Sequence, residues 1–211
     1  MTKQIEFWQS DFGRKYTDRS PQTAAEQDAL SKKNFGLTQE KMNLKFFKEL
    51  PIESILEVGC NVGSQLQVLQ KQGYEKLYGI EAQPYAVEKG KKLSIGINII
   101  QGSALDLPFK DDYFDLVFTY GVLIHISPDD ITQVLSEIYR VSKRFIWGFE
   151  YFCKNYQPLD YRGNEGFLWK GDFGKMYQDL FPSLKLIKQI DYKYSWNDNI
   201  DRAFLLKKEE I

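Results

Sequence analysis

The run Ser54-Ile55-Leu56-Glu57-Val58-Gly59-Cys60-Asn61-Val62-Gly63-Ser64 constrains this chain more than any other stretch. A short apolar segment stops abruptly at two glycines, and a helix-like pattern follows. Further on, a second apolar run, Leu77-Tyr78-Gly79-Ile80, ends in an acid, Glu81. A strand, a glycine turn, a helix and an acid at the tip of the next strand, about 20 residues on, are the parts of a nucleotide-type ligand site in an α/β sheet. The glycines let the backbone turn tightly and approach a ligand. The carboxylate can accept both hydrogens of a ribose diol.

The rest of the chain fits that frame. Strands are predicted at residues 54–58, 76–81, 98–101, 113–119 and 144–150. Helices are predicted at 64–72, 84–93 and 128–141, the last with Ser127 as its cap. Near-continuous apolar strands alternating with helices predict a parallel sheet covered on both faces. A loop rich in Tyr, Gly and Asn (151–166) leads to a helix near 171–180. Two adjacent strands, 184–191 and 199–206, then imply a terminal antiparallel hairpin. Ahead of the sheet the first 20 residues are polar and aromatic without strong periodicity. Ser20-Pro21 predicts a helix start. Residues 38–49 predict a second helix, capped by Thr38, with Leu44, Phe47 and Leu50 among its apolar positions and Pro51 ending it.

Composition excludes several classes. The chain has 211 residues, 43% hydrophobic and 27% charged, with a formal net charge of −1. That balance gives no electrostatic case for nucleic-acid or anionic-membrane partners. The start, Met1-Thr-Lys-Gln-Ile-Glu-Phe-Trp, does not resemble a signal peptide. No apolar run approaches the roughly 20 residues that span a bilayer, so a cytoplasmic location is expected. Two distant cysteines, Cys60 and Cys153, and a single histidine suggest neither a disulfide framework nor a metal site. Aromatics, at 15%, gather between Phe145 and Phe181. They read as core and lid packing, with some rings lining an acceptor pocket.

A nicotinamide-binding turn needs Gly-x-Gly-x-x-Gly, whose second glycine admits a pyrophosphate against a helix N-terminus. Here the glycines are Gly59 and Gly63, and that pattern is missing. Glu57, just before the first glycine, would repel a diphosphate but suits a ligand with a cationic amino acid portion. Both points favour S-adenosylmethionine over a dinucleotide. Ile55–Gly63, Tyr78-Gly-Ile-Glu81, Gln101-Gly-Ser-Ala-Leu-Asp-Leu-Pro-Phe109 and Tyr113-Phe-Asp-Leu-Val-Phe118 resemble the four successive signatures of class I S-adenosylmethionine-dependent methyltransferases, over roughly residues 52–150.

The resemblance implies an α/β, Rossmann-like, seven-stranded, mostly parallel sheet with a terminal antiparallel hairpin, helices on both faces and an N-terminal helical cap. Residues 1–50 would form that cap over the cofactor. Residues 51–211 would form the core, with an acceptor-side insertion at about 151–172. It further implies that Glu57, Gly59, Asn61 and Gly63 lie under the methionine portion and ribose, and that Glu81 holds the ribose hydroxyls. Ala82 and Gln83 would flank the adenine, with Ser103 and Ala104 at its edge and Tyr120 facing the methionine end. Asn61 stands where the family more often has glycine, a tolerable change because asparagine visits left-handed conformations. Ser103 stands where the family more often has an acid. Tyr16 and Arg19 lie in an opening segment that in such enzymes folds over the cofactor, and one of them is expected to contact the methionine carboxylate. The product would be S-adenosylhomocysteine, and no metal is expected.

Glu6-Phe-Trp…Phe-Gly-x-x-Tyr16-x-x-Arg19, Gly121-Val-Leu-Ile-His125-Ile, Phe149-Glu150-Tyr151-Phe152 and Tyr161-Arg162-Gly163-Asn-Glu165-Gly-Phe-Leu-Trp-Lys170-Gly-Asp172-Phe173 narrow the match. Together they resemble the methyltransferases associated with pseudaminic acid biosynthesis. The resemblance implies a small-molecule acceptor, a sugar acid or a nucleotide-activated sugar.

The individual residues carry two readings each. His125 reads as a general base toward an acceptor hydroxyl or as a packed residue bonded to backbone. Glu150 reads as a base or acceptor contact, or as a cap. Arg162 reads as a bidentate anion ligand or as the partner of Glu165 or Asp172. Tyr151, Tyr161 and Lys170 complete the expected acceptor contacts, although exposed lysines are usually only solvated. Cys60 reads as a small buried residue. The competing functions are an oxidoreductase or sugar epimerase, which lacks its fingerprint here, a non-catalytic S-adenosylmethionine-binding protein, and a methyltransferase for an unrelated metabolite. The Tyr85–Lys89 pair has epimerase spacing but sits in the helix after the second strand.

Overall fold

The computed structural model describes residues 2–209. The outer ends of the two expected segments, Met1 and Glu210–Ile211, lie outside the described residues. The chain divides into two compact units, one ending at Ser103 and the other starting at Ala104.

In the first unit four helices precede the strands: α1 (Lys3–Gln9), α2 (Asp11–Arg19), α3 (Ala24–Phe35) and α4 (Gln39–Phe47). Each begins at a hydroxyl. Thr2, Ser10, Thr23 and Thr38 accept from a backbone N–H in the first turn and satisfy a donor that the helix leaves open. Ser20 therefore does not open a helix. Its hydroxyl donates to the Tyr16 carbonyl at 2.8 Å and closes α2, so that α3 waits for Thr23. In α4 Phe47 is buried as expected, while Leu44 is exposed.

β1 (Ser54–Val58), α5 (Ser64–Lys71), β2 (Lys76–Glu81), α6 (Pro84–Leu93) and β3 (Asn98–Gln101) follow. β2 pairs in parallel with both β1 and β3. The three strands and α6 have the predicted bounds, because each apolar run is closed by glycine, proline or a polar cluster. α5 ends one residue early, with Gln72 as its C-cap.

The second unit holds β4 (Phe114–Tyr120), a 3₁₀ turn (Leu123–His125), α7 (Ile131–Val141), β5 (Ser142–Tyr151), β6 (Gln157–Pro158), β7 (Trp169–Lys170), α8 (Phe173–Leu180), β8 (Leu184–Lys193) and β9 (Ile200–Lys208). Strand order here is β4-β5-β9-β8. β4 and β5 are parallel, and β9 is antiparallel to both β5 and β8, which makes the expected terminal hairpin. α7 starts at Ile131 rather than Pro128. The Ser127 hydroxyl bonds the carboxylate and the amide of Asp130, and so shapes a turn that precedes the helix. The strands of both units belong to one seven-stranded, mostly parallel sheet of the Rossmann-like class, with the helices packed around it.

The late aromatics pack the second unit. Phe114, Phe118, Trp147, Phe149, Phe173, Tyr177 and Phe204 are each essentially inaccessible. Burying one such ring stabilises the fold by about 1.5–3 kcal/mol. Of the aromatics between Phe145 and Phe181, Phe145, Trp147, Phe149, Trp169, Phe173 and Tyr177 are core, and the other half are partly exposed. Among the described residues no helix is long and apolar enough to cross a membrane.

Candidate functional site

Gly59, Asn61 and Gly63 in the β1–α5 loop have φ of 75°, 50° and 81°. Alternate residues thus take left-handed backbone, which glycine adopts freely and asparagine tolerates. The loop is anchored beneath. The amides of Gly59 and Cys60 both donate to the Ile80 carbonyl, at 2.8 and 3.1 Å. The Ser94 hydroxyl donates to the Val62 carbonyl at 2.7 Å.

Glu81, at the tip of β2, faces this loop. One carboxylate oxygen accepts from the Asn61 amide and the other from the Gln83 amide, both at 2.8 Å. Each oxygen keeps a lone pair for a ligand hydroxyl. Desolvation raises the Glu81 pKa, and the amides of Gln83, Asn61 and Ala82 pull it back.

Glu57 is different in kind. It is 3% exposed, and its Oε2 has no hydrogen-bond partner. Desolvation, reinforced by the charge on Glu81, pushes its pKa well above the usual carboxylate range. The Oδ1 of Asn61 and the Nε2 of Gln65 are also buried without partners. Buried polar groups in folded proteins are nearly always paired. Three orphans around one glycine loop, two acceptors and a donor, fit a polar ligand that carries both a cation and an anion.

The N-terminal helices dock on the segment that follows Glu81. Gln9 Nε2 donates to the Ala82 carbonyl at 3.0 Å. Gln83 Nε2 donates to the carbonyls of Trp8 and Ser10, and its Oε1 accepts from the Tyr85 amide to cap α6. The side chain of Gln83 is thus occupied as a strut, and only its backbone can face a ligand. Tyr16 meets Trp8 edge to face at 5.2 Å, and the exposed Arg19 guanidinium lies over the Tyr16 and Phe12 rings. Ser103 lies two residues beyond β3, after Gly102, whose amide donates to the Glu81 carbonyl.

In the second unit Ala104 opens the turn after Ser103. Tyr120 ends β4, and its ring stacks on Phe149 at 4.5 Å. Glu150, 2% exposed, accepts from the amides of Val122 and Ile124 at 3.2 and 3.4 Å. Desolvation raises its pKa to about 7 against these donors and Thr119. His125 Nδ1 lies 2.7 Å from the Phe167 carbonyl, so the ring must donate there. Burial lowers the pKa of His125 to about 4. Both candidate bases therefore perform structural tasks. Glu150 clamps the turn after β4, and His125, neutral at ordinary pH, ties that turn to the 151–172 loop.

Tyr161 and Asn164 exchange backbone hydrogen bonds of 3.0 and 3.1 Å across Arg162 and Gly163. Both central residues have positive φ, 55° and 80°, as a type I′ turn requires. Arginine is uncommon in that region. Among the described residues Arg162 forms no ion pair, and Asp172 instead binds Arg202 at 3.0 Å. The turn projects an exposed guanidinium while the Tyr161 ring packs against His125 at 4.8 Å. Lys170 donates to Asn199 at 2.5 Å and lies 5.0 Å from the centre of the Tyr151 ring. Cys60 is buried with a raised pKa and reads as packing.

Sequence reading missed Gln9 and Gln65. A glutamine in a helix pattern carries no sign that it is buried. Among the described residues no cluster of His, Cys, Asp or Glu has the arrangement of a metal site.

Residues 56–144 match the family model described as a methyltransferase domain. An uncharacterized methyltransferase of Synechocystis sp. is 31% identical over 46% of this chain and 49% of its own length. The demethylmenaquinone methyltransferase of Lactobacillus johnsonii is 33% identical over 50% of this chain and 47% of its own. The chain thus spans about half the length of these curated relatives. In fold it resembles the Burkholderia thailandensis 1,6-didemethyltoxoflavin-N1-methyltransferase, solved with 1,6-didemethyltoxoflavin and S-adenosylhomocysteine. The TM-score is 0.72 at 11% identity, covering 100% of this chain and 92% of that one.

Proposed function

We propose that this chain, which carries a methyltransferase-domain match on a class I methyltransferase fold, transfers a methyl group from S-adenosylmethionine to a small-molecule acceptor. The observation that carries this reading is the pairing of Glu57 and Glu81 around one glycine loop. Glu81 is braced by backbone amides with lone pairs left for a diol, and Glu57 is buried without a partner. A diphosphate is repelled by that pair of acids, whereas an amino acid ammonium relieves the burial of Glu57. Gln65 and Arg19 are the groups available to the carboxylate of the same portion. Ala82, the Gln83 backbone and Ser103 are assigned to the adenine.

When bound, S-adenosylmethionine supplies a methyl group already activated on a sulfonium sulfur. The protein's share is then alignment and exclusion of water, which are worth several orders of magnitude in rate. Helices α1 and α2, pinned through Gln9 and Gln83 to the segment after Glu81, are assigned as the cover of the nucleoside. His125 and Glu150 shape the turn after β4.

For the acceptor we favour an anionic, hydroxyl-bearing metabolite such as a sugar acid or a nucleotide-activated sugar. The exposed guanidinium of Arg162, held out on its turn, supports this, together with the resemblance of the Tyr161–Phe173 segment. Relatives named for sterol and quinone substrates support an apolar acceptor instead. Incubation with labelled S-adenosylmethionine and a panel of sugar acids, nucleotide sugars, quinones and sterols, read by mass spectrometry, separates these. Label on a sugar that is lost in Arg162→Ala supports the first reading. Label confined to a quinone or sterol rejects it.

A further inference from the structure

The buried residues of α3 are Ala24, Gln27 and Ser31, and α4 buries Gln39 and Asn43 beside its apolar residues. A spacing of four puts each polar pair on one side of its helix. Their side chains form one hydrogen-bonded file. Ser64, the first residue of α5, donates to Gln27 Oε1 at 3.3 Å, and Gln27 Nε2 donates to Ser31 at 3.4 Å. Ser31 donates to Gln39 at 3.0 Å, Gln39 to Asn43 at 2.8 Å and Asn43 to Gln72 at 3.2 Å. Gln72 Nε2 then donates to the Glu40 carbonyl at 3.1 Å. A carbonyl can only accept, so this last bond fixes the direction of every amide and hydroxyl before it. At the other end the Ser64 hydroxyl must donate to Gln27.

A second strut runs beside the file. Gln67 Oε1 accepts from the Ala24 amide at 3.1 Å, and its Nε2 donates to the Gln22 carbonyl and to the Ser94 oxygen. The Ser94 hydroxyl is the group that holds the Val62 carbonyl. Val62 and Ser64 flank Gly63, so α3 and the residues just before it grip the second half of the glycine loop on both sides of that glycine. The first half rests on Ile80. A non-glycine residue in left-handed backbone, as Asn61 is, persists where its surroundings over-determine it.

We propose that Gln27 is a positioning residue for S-adenosylmethionine, acting through Ser64 to hold the glycine loop in its ligand-binding shape before the ligand arrives. The inference rests on the cofactor reading above. A loop that is already shaped loses no binding energy to its own ordering. Stability alone does not call for the file, because apolar groups of the same shape in place of both hydrogen-bonding partners are close to neutral. Paired throughout, the polar file adds what an apolar face lacks, a single register of α3 and α4 against Ser64.

Calorimetric titration with S-adenosylhomocysteine, with melting temperatures from the same preparations, tests this. It compares wild type, Gln27→Met, Gln27→Glu, Ser64→Ala, the double variant Gln27→Met with Ser64→Ala, and Leu135→Ala. Gln27→Met keeps the side chain's length and removes both of its hydrogen bonds, and it should weaken affinity roughly tenfold. Ser64→Ala should do the same. The double variant should bind within about twofold of either single one, because Gln27 acts through Ser64. Gln27→Glu, which still accepts from Ser64, should recover most of the affinity. Leu135→Ala truncates a buried residue of α7, outside the file, so it should melt lower yet bind within about twofold of wild type. Should Gln27→Met fail to fold, Ser64→Ala removes one hydroxyl and carries the test alone. Wild-type affinity in either folded single variant, an equal loss in Leu135→Ala, or losses that add in the double variant overturn the positioning role and leave the cofactor reading standing. A folded wild type that does not bind S-adenosylhomocysteine overturns the cofactor reading, and the positioning role falls with it.

Discussion

Glu57 is the residue on which the ligand assignment turns. Its carboxylate is buried, unpartnered and beside a second acid, a costly arrangement unless a cation completes it. Replacing it with Gln should therefore act in opposite directions on stability and affinity. Glu57→Gln is expected to melt higher than wild type at pH 8, because no buried charge remains to form. It should bind S-adenosylhomocysteine at least tenfold more weakly, about 1.4 kcal/mol. Differential scanning fluorimetry and calorimetry on the same preparation read both. Glu81→Ala should weaken product binding by a similar factor or more, since it also frees the Asn61 and Gln83 amides that set the loop. Both acids were legible in the sequence as a pair around glycines. Their geometry was not, because neither the bracing of Glu81 by two amides nor the isolation of Glu57 follows from residue type.

Among the elements, the strands were the most legible. Ile55–Val58 and Leu77–Ile80 are apolar runs with hard stops, and pairing in parallel buries them. The opening residues gave no such signal. Within α1 and α2 the buried residues are Gly13 and Thr17, and the pair is held by hydrogen bonds from Gln9 and Gln83 rather than by an apolar stripe. Ser-Pro misled twice for one reason: Ser20 closes the helix before it, and Ser127 shapes a turn ahead of α7. The α1–α2 junction offers a sharp test. A Cβ on Gly13 would lie 1.7 Å from the Trp8 carbonyl oxygen, so Gly13→Ala cannot keep the present crossing. We expect a loss of about 1–3 kcal/mol in chemical denaturation, within the range that overpacking costs. Limited proteolysis should cut within residues 3–19 faster than in wild type. A variant with wild-type stability and protection would mean that the two helices are not held as described.

Taken over the whole molecule, the buried acids set the pH dependence. Glu57, Glu81, Glu150 and Asp201 all have raised pKa values, Glu150 and Asp201 to about 7. A group whose folded pKa is raised gives stability that is present below the unfolded value and lost as pH climbs through the folded one. His125, lowered to about 4, acts the other way and costs stability as pH falls from about 6.5 toward 4. Above pH 6.5 only the acids contribute, so the melting temperature should fall from pH 6.5 and the part due to Glu150 and Asp201 should level off once the pH passes about 7. Glu57→Gln should make that fall shallower. Thermal scans across this range check it, and a flat or rising profile would contradict the burial described for these groups. Long-range pairing explains what the sequence hid at this scale. Tyr151 and Asp201 are 50 positions apart and meet only because β9 folds back against β5.

The central claim is that the β1–α5 loop and Glu81 hold S-adenosylmethionine rather than a dinucleotide. Calorimetric titration of the purified chain with S-adenosylhomocysteine, and in parallel with NAD, tests it most directly. One S-adenosylhomocysteine site per chain, weakened at least tenfold in Glu57→Gln, with no heat from NAD, is the predicted result. Binding of NAD, or no binding of S-adenosylhomocysteine by the folded wild-type chain, would contradict it.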